Sequence, residues 1–387
     1  MIQQLLNQFN KEEWEALCDR CGKCCLIKLE DKDNGDIFYT NISCKLLCVK
    51  TGNCSNYKNR KKIVKDCTTL SYKNIENAYS RIKELVVETP LVTNDYINKL
   101  LNSQIYFKLE NFQNTGSFKF RGATHKISLL SKDLIENGVV AYSSGNHAQA
   151  VAFSASQNNL SAKIIMPKTA PQIKIENTKK YGAEVILYDT YFQNREEIGN
   201  EIQKKDNRAL IKPYDDEDII AGQGTAAIEI VNDLKEQSIE PDLYLCCCGG
   251  GGLIAGTSTY LKHIYPNIKS YSVEPDEFDD TKRSLEAGKI LENKKNAKSF
   301  CDALLAPQPG NITFQINSNN LEGGLSVSDE EVTKTIILLA EQLKIVVEPG
   351  GAVAAAAVLN NKIDVKNKKI IVMISGGNID LSLFNKL

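Results

Sequence analysis

The chain has 387 residues, enough for two or three separately cored domains. Hydrophobic residues at 42% and charged residues at 25% are the balance of an ordinary globular protein, and a formal net charge of −1 gives no global field to attract nucleic acid or an anionic membrane. The longest apolar stretch, Ala352 to Leu359, is far short of the ~20 residues that span a bilayer, and the opening MIQQLLNQFNKEEW lacks the basic and apolar regions of a secretion signal, so a cytoplasmic location is expected, with neither nucleic acid nor membrane as a partner.

Eight of the twelve cysteines fall in the first 67 residues: Cys18, Cys21, Cys24, Cys25, Cys44, Cys48, Cys54 and Cys67. The next is Cys246. A reducing cytosol favours metal over disulfides for such a cluster. Cys18-x-x-Cys21-x-x-Cys24-Cys25 has the density of a tetrahedral thiolate site, for zinc or for iron. The bland alternative is a fragment whose reduced thiols bind nothing stably. The composition shift places a boundary near residue 70, so residues 1–70 are expected to form a small metal-binding module.

From about residue 75 strands and helices alternate. IYFKLE (Ile105–Glu110), GVVAYSS (Gly138–Ser144), AKIIMP (Ala162–Pro167) and AEVILYD (Ala183–Asp189) read as strands. So do DLYLCCC (Asp242–Cys248), KSYSVEP (Lys269–Pro275) and KKIIVMIS (Lys368–Ser375). Their apolar runs are continuous, as in parallel strands buried on both faces. Asn146–Gln157, Gln172–Tyr181, Gln223–Glu236 and Asp329–Gln342 read as helices. The alternation predicts an α/β fold whose ligands bind at the carboxyl ends of the strands. Cys246, Cys247 and Cys248 read as small hydrophobes in a buried strand.

Four segments gather at such strand ends. NTGSFKFRGA (Asn114–Ala123) sets Lys119 between Phe118 and Phe120, and SGGN (Ser375–Asn378) closes the last strand. SSGNHAQ (Ser143–Gln149) and GGGGLIAG (Gly249–Gly256) each turn a strand into a helix. Consecutive glycines let backbone N–H groups crowd around an anion at a helix N-terminus, which suits a phosphate. Gly250-x-Gly252-x-x-Ala255, with Glu274 at the end of the next strand, also matches a dinucleotide fingerprint, and on its own would suit NAD. NAD leaves the other three segments without a role. A cofactor with an aldehyde, a phenolic oxygen, a pyridine nitrogen and a phosphate uses all four. That is pyridoxal phosphate (PLP), bound through a desolvated amine, here Lys119.

With those motifs, residues 75–387 resemble the threonine dehydratase and serine racemase family of fold-type II PLP enzymes. Arg121–Gly122–Ala123 after the lysine, and His147 after Ser-Gly-Asn, favour this branch over cysteine and threonine synthases. The resemblance implies two open α/β subdomains in residues 71–387, the smaller near 138–205, and a homodimer. It implies that Lys119 carries PLP, that Asn146 meets the phenolic oxygen, that Gly249, Gly250, Gly251, Gly252 and Leu253 cradle the phosphate, and that Ser375 meets the pyridine nitrogen. Ser143, Ser144 and His147 would bind the substrate carboxylate with help from Arg195, and Ser144 stands where racemases place a residue facing the lysine. Glu274, the carbonyl of Phe278 and Asp280 match the spacing at which relatives hold magnesium, calcium or a monovalent cation. Residues 13–67 resemble a small bacterial family of zinc- or iron-chelating proteins.

The implied activity is loss of water from L-threonine or L-serine, a small amino-acid substrate, to give a 2-oxo acid and ammonia. Racemisation of serine, or dehydration of 3-hydroxyaspartate, would use the same residues. The loop Cys301–Gly310 is expected to touch the substrate side chain. A reading of another class makes the protein a metal or redox sensor through its cysteines.

Overall fold

The computed structural model describes residues 70–380 and, before them, four short strand segments. The chain divides into two units, Met1–Thr69 and Leu70–Leu387. In the first, β1 (Leu26–Glu30) pairs antiparallel with β2 (Ile37–Ser43), and β3 (Leu47–Cys48) pairs antiparallel with β4 (Asn53–Cys54). Cys18, Cys21, Cys24 and Cys25, on which the expected zinc or iron site rests, lie outside the described residues.

The second unit opens with α1 (Tyr72–Ile82), β5 (Leu91–Val92), α2 (Asp95–Leu101), β6 (Gln104–Leu109) and α3 (Lys119–Ser128). Then come α4 (Lys132–Asn137), β7 (Val139–Tyr142), α5 (Asn146–Gln157), β8 (Ala162–Pro167), α6 (Gln172–Lys180), β9 (Glu184–Tyr188), α7 (Arg195–Asp206) and β10 (Ala209–Leu210). The chain continues through α8 (Glu217–Glu236), β11 (Leu243–Cys247), α9 (Gly252–Ile264), β12 (Lys269–Pro275), α10 (Asp280–Ala287), α11 (Asn311–Asn320) and β13 (Leu321–Val327). It finishes with α12 (Asp329–Leu343), α13 (Pro349–Leu359) and β14 (Lys369–Ile374).

The strands form two open sheets, as the α/β expectation required. The larger runs β13-β12-β11-β14-β6-β5, parallel throughout except where β5 meets β6. The smaller, β10-β7-β8-β9, is wholly parallel. Helices cover both, so central strands such as β11 are buried at every position, which is why they read as unbroken apolar runs. Helix α13, PGGAVAAAAVL, is buried over Pro349–Val358 and its small side chains let it sit inside the core of the larger sheet. Phe120, Ala123 and Ile127 of α3 pack with Val139, Ala141 and Ile164 of the smaller sheet. Among the described residues no helix is long and apolar enough to cross a membrane.

Beyond β5 and β10, strands of two residues each and too short to read as apolar runs, two elements depart from the sequence expectation. α8 starts at Glu217 instead of Gln223, because Asp216 caps it by accepting from the amides of Asp218 and Ile219. Such a cap is worth about 1 kcal/mol, and the acidic run DDED, which resembles a loop, suits a helix N-terminus electrostatically. β13, LEGGLSV, escapes a search for apolar runs. Its Gly324 is required by packing, since a Cβ there would lie 2.6 Å from the Lys282 backbone.

Candidate active site

The segments after β7, β11 and β14 line one cleft, open to solvent. Lys119, Ser143, Ser144, Asn146, His147, Arg195, Gly249, Gly250, Gly251, Gly252, Leu253 and Ser375 all line it. Residues separated by up to 256 positions (375 − 119) in sequence therefore share one cavity.

Lys119 is the first residue of α3, and its Nζ donates to the Pro213 carbonyl at 2.6 Å. Burial pushes its amine down to about 8, so a usable fraction is uncharged near neutral pH. The two flanking phenylalanines play different parts. Phe118 lies beside the amine, with Nζ 5.2 Å from its ring centroid, whereas Phe120 points into the core of the smaller sheet.

The glycine loop joins β11 to α9. Gly251 has φ +88°, which favours glycine, and a Cβ on Gly250 would lie 2.4 Å from the Tyr214 ring. Thr313 and Asn317 of α11 donate to the carbonyls of Gly250 and Gly251 at 2.7 and 3.3 Å. The first amides of α9, as at any helix start, have no intrahelical acceptor, which suits an anion. Tyr214 was not singled out by sequence, since an aromatic after a proline carries no signal of what it packs against.

At the start of α5, Asn146 donates from Nδ2 to Glu348 Oε1 and accepts from Asn378 Nδ2 at 2.9 Å. His147, the next residue, lines the same cleft. Its Nε2 lies 3.0 Å from the Ile211 carbonyl, which can only accept, so Nε2 carries the proton. Nδ1 is then an acceptor, buried and without a partner. Burial, with the nearby Lys119, pushes His147 down to about 3, so the ring is neutral. Ser143 Oγ accepts from the Gly145 amide at 3.1 Å, and Arg195 holds its guanidinium 5.5 Å from the Tyr142 ring centroid.

An ion cluster in the cleft was not foreseen. Lys174 Nζ of α6 donates to Asp302 at 2.5 Å and lies 3.6 Å from Glu348. Burial would lower its pKa, but the two carboxylates raise it above the usual range and keep it cationic. Asp302, Ala303, Leu304, Leu305 and Ala306 line the cleft, as expected of the Cys301–Gly310 loop. Cys247 also lines it, while Cys246, Cys247 and Cys248 are all buried.

The expected cation ligands sit at the end of β12. Glu274 is wholly enclosed and accepts from the amides of Thr281 and Lys282 at 2.9 and 2.8 Å. Asp280 accepts from Asn293 at 2.5 Å through Oδ1, and its Oδ2 is buried without a partner. Burial raises both carboxyls, Asp280 to about 7, and each is further raised by acidic neighbours. Among the described residues no group of three or more His, Cys, Asp or Glu could hold a metal ion; here two carboxylates share the loop with Phe278 between them.

The family described as "Pyridoxal-phosphate dependent enzyme" matches residues 82–376. The L-threo-3-hydroxyaspartate ammonia-lyase of Saccharomyces cerevisiae is 40% identical over 317 residues, 82% of this chain and 96% of that protein. The L-threonine ammonia-lyase of Thermotoga maritima is 38% identical over 318 residues, 82% of this chain and 78% of that protein. The solved serine racemase of Dictyostelium discoideum superposes with a TM-score of 0.75 at 37% identity, covering 81% of this chain and 100% of that one. The chain belongs to the pyridoxal-phosphate dependent enzymes, within the branch of ammonia-lyases and racemases.

The cleft fits the cofactor of that family. A buried amine of depressed pKa and a glycine loop that side chains would fill match its aldehyde and its phosphate.

Proposed function

We propose that this chain removes the β-hydroxyl of L-threonine or L-serine, releasing a 2-oxo acid and ammonia. Bound PLP supplies an electron sink for the substrate α-carbon. In this reading Lys119 holds the cofactor and then, as a free amine, takes the Cα proton. The amides at the start of α5, with Ser143 and Ser144, bind the α-carboxylate, and Ala303 to Ala306 give the side chain an apolar wall. Asn146, Gly249 to Leu253 and Ser375 orient the cofactor. The observation that carries the reading is the Lys119 amine, depressed to about 8 by burial in the cleft that also holds the glycine loop. The unpartnered Oδ2 of Asp280, beside buried Glu274, supports a magnesium or calcium ion bound with the Phe278 carbonyl.

Arg195 favours a second reading. Its guanidinium lines the cleft over Tyr142, and no ion pair to it is formed among the described residues. A second carboxylate on the substrate, as in 3-hydroxyaspartate, would fit that cation. Incubation of the PLP-loaded enzyme with L-threonine, L-serine and L-threo-3-hydroxyaspartate separates these. Following 2-oxo acid, ammonia and D-amino acid together, we expect oxo acid from threonine or serine. Turnover confined to hydroxyaspartate, or accumulation of D-serine without oxo acid, would replace this reading with the corresponding alternative.

A further inference from the structure

Four buried charges stand apart from the cleft lining, and the chemistry above makes no use of them. Lys108 lies on β6, Glu110 just after it, Arg121 in the first turn of α3 and Glu229 on α8, and no side chain among them is more than 1% exposed. The two cations and two carboxylates balance. Arg121 donates through Nε and Nη2 to the two oxygens of Glu110, both at 2.8 Å. Through Nη1 and Nη2 it donates to the two oxygens of Glu229 at 2.6 and 2.7 Å. Lys108 donates to Glu229 at 2.6 Å and to the Thr89 carbonyl at 2.5 Å, and the Thr89 hydroxyl donates to Glu110 at 2.5 Å.

A hydrophobic cluster of the same volume would often be as stable as such a tetrad. What the tetrad adds is direction, because two opposed forks fix both the position and the plane of a guanidinium. The helices beside it touch at the backbone: a Cβ on Gly122 would lie 2.9 Å from the Ile219 carbonyl, and one on Gly222 would lie 2.8 Å from the Arg121 carbonyl. α3 is thereby locked to β6 and α8 within one turn of Lys119.

We propose that Arg121, clamped between Glu110 and Glu229, is a positioning residue that holds the first turn of α3 so that the Lys119 amine stays at reacting distance from the substrate Cα. The inference rests on Lys119 being the base. Arg121→Lys keeps the charge and loses the forks. The double variant Arg121→Met with Glu110→Gln removes the clamp but leaves Lys108 and Glu229 as a balanced pair.

The test measures three things on each chain: melting temperature, kcat and KM of the PLP-loaded enzyme, and competitive acetylation of Lys119 against pH in the cofactor-free protein. We expect both variants to fold, with kcat lowered by about 100-fold, the loss a ~1 Å misplacement of a reacting group produces, and KM changed by about twofold at most. We expect Lys119 to acetylate with a pKa moved up from about 8 toward that of a solvated lysine, as its burial loosens. A double variant with unchanged kcat and an unchanged Lys119 titration would overturn the proposal. So would failure of both variants to fold, which assigns the tetrad to stability alone. If the unaltered chain takes up no PLP on Lys119, the functional reading is what fails, and the acetylation comparison still decides whether Arg121 positions the amine.

Discussion

The His147 ring donates from Nε2 to the Ile211 carbonyl and keeps Nδ1 enclosed and unprotonated. Unfolded histidine takes up a proton near pH ~6.5, but the folded ring refuses it until about 3, chiefly because burial penalises the charge. The folded pKa is depressed, so this contribution to stability is present above pH ~6.5 and is lost as pH falls toward 3, at up to ~1.4 kcal/mol per pH unit. His147→Gln should therefore flatten the acid limb of melting temperature against pH between about 6 and 4, a window set by that depressed pKa. An acid limb as steep as in the unaltered chain would contradict this assignment. At this scale the cleft was partly legible: Lys119 stood out because its flanking motif is local in sequence. Lys174 and Asp302 meet across 128 positions, and Asn146 and Glu348 across 202, so no local pattern announces either contact.

The turn from β12 into α10 makes a prediction at the scale of elements. Glu274 is held by the first amides of α10, and Asp280 begins that helix with Oδ2 unpaired. A cation there would tie the strand end to the helix start. Magnesium or calcium added to chelator-treated protein should raise the melting temperature, and Asp280→Asn should abolish the rise. No rise with either ion would sink the cation reading. The strands were legible because burial on both faces leaves continuous apolar runs, and all seven expected strands are present within a few residues of their bounds. β13 was missed because packing against Lys282 demands glycine at position 324, where pattern reading expects a large apolar residue. The first turns of α8 escape pattern reading because acidic capping residues resemble loop composition.

The whole unit joins two sheets whose carboxyl ends supply complementary parts of the cleft. The smaller sheet brings Ser143 to His147, and the larger brings the glycine loop and Ser375. Lys174 of α6, on the smaller sheet's side, reaches Asp302 and Glu348 on the other, so the two halves are bridged by charge across the site. The architecture was legible from strand–helix alternation, but the bridge was not, since it exists only once the sheets face each other. The most direct test of the account is the absorbance spectrum of the purified full-length chain after addition of PLP, compared with that of Lys119→Ala. The account predicts the visible band of a lysine-bound cofactor in the unaltered chain, its shift on adding L-threonine or L-serine, and its absence from a folded Lys119→Ala protein that releases no oxo acid. An unaltered chain that acquires no band, or a Lys119→Ala chain that keeps both band and turnover, would contradict it.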